Sequence, residues 1–289
     1  MRQHSSPGTR PLAAMSMLVF LAALGVDAAA EPPRYQNPIV RLRADPWVYR
    51  HTDGWYYFTA SVPEYDRVEV RRSRTIQGLG SAPAVVVWRR HDTGIMSANI
   101  WAPEIHFIGH SWYIYFAAGE TVAPFNHRIY VLQNDSPDPL AGLWMEKGQV
   151  RTGWESFSLD ATEFEHGGAH YLVWAQKDYG IRGNSNLYIA AMNNPWTVAG
   201  SAVRISKPEF AWEKKIGGNI PPIKTEHGWL TLYHAVGAPT LITAWALCCS
   251  IWRIPASSAT VRGIESCSRR SGTNCKAFIT ACVFLAARW

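Results

Sequence analysis

Cysteine is missing from the first 247 residues of this 289-residue chain; all five (Cys248, Cys249, Cys267, Cys275, Cys282) follow. The body therefore has no disulfide framework. The tail spacings match no zinc pattern, and the odd count leaves at least one thiol unpaired within the chain. Long apolar runs are also missing. "LAAMSMLVFLAALG" near the start and "AFITACVFLAA" near the end both fall short of the roughly 20 residues that a spanning helix needs. No Walker loop, dinucleotide fingerprint, G-x-S-x-G elbow or H-E-x-x-H pair occurs, so no metal and no cofactor is assigned. An excess of basic charge is absent from the body as well. Of the formal net charge of +6, residues 1–30 carry +1 and residues 241–289 carry +5, leaving residues 31–240 neutral. A polyanion partner such as nucleic acid loses its main support.

The first thirty residues read as a leader. Arg2 and Arg10 form a basic start, the apolar run follows, and "DAAA" ends in a small-residue cleavage pattern before Glu31. The remainder is expected to be secreted or periplasmic, with no membrane association once the leader is removed. Residues 31–240 form the expected domain, and residues 241–289 an anomalous cysteine-rich tail.

That domain repeats. "DGWYYFTA", "GHSWYIYFA", "GGAHYLVWA" and "HGWLTLYHA" share a turn, an aromatic or His, and an apolar strand. Aligning Trp55, Trp112, His170 and Trp229 gives spacings of 57, 58 and 59 residues. The units are rich in β-branched and aromatic runs broken by Gly, Pro, Asn and Asp, without long helical periodicity. An all-β fold follows, and a unit of this length holds a four-stranded sheet, so the architecture reads as a β-propeller. A β-sandwich explains the strands but not the period.

The repeat brings two acids into phase. Asp160 lies ten residues before His170, and Asp45 lies ten before Trp55. A lone Asp beside a turn usually caps backbone. Two in the same phase converge on one cavity, because the innermost strands of a propeller surround its axis. Paired carboxylates suit general acid–base chemistry on an uncharged, oxygen-rich substrate. Trp101 and Tyr65 are candidates to stack on sugar rings, with blade packing as the alternative.

"NPIVRLRADPWVYRHTDGWYYFTASVPEYDRVEVRRS", "NIWAPEIHFI", "FNHR" and "WESFSLDATEFEHGGAHYLVWAQ" resemble glycoside hydrolase family 43, most closely its exo-acting α-L-arabinofuranosidases, over about residues 34–216. The resemblance implies a five-bladed β-propeller and inverting removal of terminal arabinofuranosyl units from plant cell-wall polysaccharide, arabinan or arabinoxylan in type. It implies Asp45, in A-D-P, as general base. Asp160, in L-D-A-T, would tune the acid's pKa and orient the substrate. The general acid should be a Glu, yet its expected place ten residues before Trp229 holds Asn219, and an amide cannot replace a carboxylic acid. Residues 212–236 instead resemble a short motif of the family 130 glycoside phosphorylases. Beyond Thr240 the repeat is lost, as expected of a shifted reading frame or a junction; a natural cysteine-rich appendage is the alternative. The expected fold is therefore an incomplete propeller of three blades and part of a fourth. A catalytically inactive carbohydrate-binding propeller and a phosphorylase-like enzyme remain the alternative functions.

Overall fold

A computed structural model describes residues 35–181, 185–208, 215–218, 220–226, 228–236 and 248–252. The described chain is all-β, apart from one short 3₁₀ turn at Gln77–Gly80. Its sixteen strands form four antiparallel sheets in a four-blade propeller arrangement. Blade one holds β1 (Ala44–Arg50), β2 (Tyr56–Ser61), β3 (Arg67–Ser73) and β4 (Val85–Arg89) in that order. Blade two holds β5 (Ala98–Ile108), β6 (Ser111–Glu120), β7 (Ala123–Asn134) and β8 (Met145–Gln149). Blade three holds β9 (Ser158–His166), β10 (Ala169–Gln176), β11 (Asn186–Asn194) and β12 (Thr197–Ser206). Each repeated segment of the sequence is the second strand of one blade, so one period is one meander.

Blade four holds β13 (Lys215–Gly218), β14 (Ile223–Thr225), β15 (Gly228–Val236) and β16 (Cys248–Trp252). Both β13 and β14 pair with β15, at opposite halves of its length, so they are two pieces of one interrupted inner strand. β16 pairs along the other side of β15. The fourth sheet therefore continues one strand beyond residue 240, past the opening hairpin at which the repeat in the sequence stops. The rest of the expected tail, and the expected leader, lie outside the described residues.

The blades pack through side chains that alternate along each strand, as the period of two requires. On β6, Trp112, Ile114 and Phe116 face blade one, where they meet Tyr57, Val68 and Val70. Tyr113 and Tyr115 face blade three, against Leu172 and Trp174. On β10 the other set, Tyr171 and Val173, meets Ile216, Trp229 and Tyr233 of blade four. Both faces of β6 and β10 are thus buried, which is why these strands read as continuous apolar runs rather than alternating ones.

Candidate active site

Each of the first three inner strands carries the same irregularity. The register slips between Ala44 and Trp47 on β1, on either side of Trp101 on β5, and opposite Val173–Ala175 on β9. At the slip sits a non-glycine residue with left-handed backbone: Asp45 (φ 50°), Ala102 (φ 44°) and Asp160 (φ 53°). Such a conformation costs about 1–2 kcal/mol for most residues and least for Asp and Asn. A bulge re-aims its side chain out of the pleat, and here the two aspartates are turned into one space. They stand on blades one and three, with blade two between them, rather than on neighbouring blades. The same phase on blade four falls on Asn219, which lies outside the described residues.

The shared space is a cavity of about 370 Å³ whose wall includes Arg43, Asp45, Trp101, Asp160, Lys215 and His234. A larger one, about 530 Å³, lies between Gln36–Arg41 and Gln77–Ser81 and holds neither aspartate. The Ser61 hydroxyl donates to Asp45 Oδ2 (3.0 Å) and accepts from the Ala102 amide (2.8 Å), fixing the carboxylate of blade one to the bulge of blade two. Asp160 Oδ2 is buried without a hydrogen-bond partner and lies 4.0 Å from His234 Nε2. Gly217 lies against both: a β-carbon there would collide with Asp160 Oδ2 and the His234 ring. Ser185 ties the wall together, donating to the Ile216 carbonyl (2.6 Å) and accepting from its amide (3.2 Å).

Burial pushes the Asp160 carboxyl well above the usual carboxylate range; Asp45 and Glu104 push it the same way and Lys215 opposes them. His234 is held below the ordinary imidazole value by burial, with Asp45 opposing and Lys215 adding. The cavity therefore favours a protonated Asp160 beside a neutral His234.

Trp101 forms an apolar wall. One face stacks on His127 (centroids 4.0 Å apart, planes 18° apart), and Tyr65 meets it edge-on at 5.9 Å. His127 Nε2 donates to the Asn99 carbonyl (3.0 Å), and burial keeps its pKa low, so a neutral ring lies behind the tryptophan. Trp101 Nε1 is buried without a hydrogen-bond partner. Trp101 lines the cavity, whereas Tyr65 is not part of its wall and stands partly exposed beside Trp101.

Reading the sequence missed several groups here. Ser61, Lys215, Gly217 and His234 were not singled out as site residues; Lys215, Gly217 and His234 line the cavity, and Ser61 acts on it through Asp45. Glu104 was legible in hindsight, two residues beyond the phase of the bulge. It is buried, its pKa raised by burial and by Asp45, and its Oε2 lies 3.2 Å from His106 Nε2. His106, held down to about 4 by burial, faces Glu163 on its other side at 3.7 Å. Among the described residues no group of three His, Cys, Asp or Glu side chains is placed to hold a metal ion.

The profile of Glycosyl hydrolases family 43 matches residues 35–240. An extracellular exo-α-(1→5)-L-arabinofuranosidase of Streptomyces chartreusis is 57% identical over 186 residues, 64% of this chain and 57% of that protein. Alpha-L-arabinofuranosidase 43 of Humicola insolens is 46% identical over 234 residues, 78% of this chain and 48% of that protein. The chain thus spans about half the length of the curated relatives it matches. Among solved structures, an α-L-arabinofuranosidase from Lactobacillus brevis superposes with a TM-score of 0.61 at 41% identity, covering 73% of each chain. The match spans the repeat, the bulges and both aspartates, and the chain belongs to family 43 of the glycosyl hydrolases.

Proposed function

We propose that the cavity between Asp45 and Asp160 receives a terminal α-L-arabinofuranosyl unit of a plant polysaccharide and that its ancestral chemistry is inverting hydrolysis. The supporting observation is two aspartates on matched bulges of separate blades, both lining one cavity together with Trp101. In this reading Asp45, held by Ser61, deprotonates the attacking water. Asp160 orients the sugar and Trp101 packs on its apolar face. The work is extracellular in this reading, in keeping with the expected leader and with the name of the Streptomyces relative.

The acid is the weak point of the site. Asn219 stands where the family resemblance places a glutamic acid, and loss of a general acid typically costs about 10²–10⁴ in rate. The ring is also proposed to be short of the family's five blades. An unclosed ring leaves blade faces open, which favours association. The chain as written is therefore a weak enzyme on natural linkages, and the same asparagine favours a second reading, a propeller that binds arabinosyl chains without turning them over. Hydrolysis of 4-nitrophenyl α-L-arabinofuranoside, followed by NMR with and without inorganic phosphate, tests the proposal. Inverted anomer, independent of phosphate, is expected. Binding without any product identifies the second reading, and strict dependence on phosphate identifies a phosphorylase.

A further inference from the structure

We infer that His234 donates the proton to the leaving sugar in this chain, in place of the carboxylic acid that Asn219 does not supply. The inference rests on the cavity between Asp45 and Asp160 hydrolysing an arabinofuranoside. His234 sits on β15, directly across from Gly217 of β13, and β13 ends one residue before Asn219. The imidazole thus belongs to the same blade as the missing acid and to the strand beside its expected place. It lines the cavity together with Asp45. The two come from different blades, so base and donor can stand on either side of one sugar, as inversion needs.

The wall is shaped around the imidazole. A β-carbon at Gly217 would collide with the ring, so glycine there leaves it room. The His234 side chain keeps 23% exposure against 10% for Asp160, so a sugar in the cavity reaches the imidazole more readily than the carboxyl 4.0 Å away. In the step itself, water gives one proton to Asp45 as its oxygen bonds to the anomeric carbon. The bond from that carbon to the leaving oxygen breaks, its electron pair stays with the oxygen, and the oxygen takes the imidazolium proton. Asp45 then returns one proton to solvent and His234 regains one. An imidazole donates usefully only when protonated, which fixes the sign of the pH dependence. Arg43 and Asp45 at the start of β1, Asp160 on β9 and Lys215 on β13 are the charged or titratable side chains that share the wall with it. Burial holds the His234 pKa below the ordinary imidazole value, with Asp45 opposing and Lys215 adding. The donor form is therefore scarce at neutral pH and grows as pH falls, which keeps release from natural linkages slow.

Initial rates on α-1,5-arabinobiose and on 4-nitrophenyl α-L-arabinofuranoside, from about pH 4 to about pH 8, test the inference in the parent and in His234→Gln. Nitrophenolate leaves with little acid help, so the ratio of the two rates reads the donor. The ratio of arabinobiose to aryl glycoside should rise as pH falls in the parent. His234→Gln should lower that ratio about 100-fold at the acid end and flatten its pH dependence. A parent ratio that is flat or climbs with pH, no arabinobiose cleavage at any pH, or a ratio that His234→Gln leaves unchanged would overturn the donor, while nitrophenolate release upholds the cavity reading. If the variant does not fold, the parent's own pH profile decides. Absence of nitrophenolate release by the parent would overturn the cavity reading and this inference with it.

Discussion

Asp45 and Asp160 were legible because a period was legible: two acids ten residues ahead of the same repeated aromatic position. What turns them inward was not, since a bulge is set by pairing partners far along the chain. Gly217 shows the same limit. Nothing in "KKIGGNI" says that its hydrogen faces Asp160 across a blade boundary, beside its own strand partner His234. Gly217→Ala should therefore cost about 1–3 kcal/mol, the usual range for overpacking, and lower sugar affinity; unchanged thermal unfolding and affinity would refute this packing. The raised pKa of Asp160 has a signed consequence. The folded state holds its proton more tightly than the unfolded chain, so the contribution is full below the unfolded value of about 3.9 and is lost as pH rises through the folded value. Asp160→Asn, which cannot ionise, should gain stability relative to the parent as pH rises. Denaturant titrations at several pH values read that difference, and a constant or shrinking gap would contradict the burial of a protonated carboxyl.

At the scale of strands, the second strand of each blade carried the readable pattern, because it is buried on both faces and bounded by a turn. β16 did not, being a short strand outside the repeated segments, and so the fourth sheet extends further than the repeat suggested. The inner strand of blade four is broken between Gly218 and Ile223, at the phase where the other blades bulge. Beyond its pairing with β15 and the packing of Ile216, its first half is tied to Ser185, which both donates to and accepts from Ile216. Ser185→Ala leaves a buried amide and carbonyl unpaired at that point and should cost about 1–3 kcal/mol. Hydrogen exchange should locate the loss in Lys215–Gly218; protection there equal to the parent's would show that pairing with β15 alone holds the strand.

Among the described residues, three interblade cores fix where the inner strands stand, and the cavity is the space those strands leave between the four blades. Fold class and cavity were thus readable from periodicity, whereas the aromatic wall and the polar floor depend on contacts between blades that no local pattern encodes. If the proposed arabinofuranosyl site keeps its base and lacks its acid, the leaving group reports on both at once. The decisive measurement is the rate on 4-nitrophenyl α-L-arabinofuranoside beside that on α-1,5-arabino-oligosaccharides, for the protein without residues 1–30 and for the same protein carrying Asp45→Ala. Nitrophenolate needs little acid assistance, so slow release that falls about 10²–10⁴-fold in Asp45→Ala is predicted, with little or no arabinose from the oligosaccharides. Oligosaccharides cleaved as readily as the aryl glycoside, or nitrophenolate release indifferent to Asp45→Ala, would contradict it.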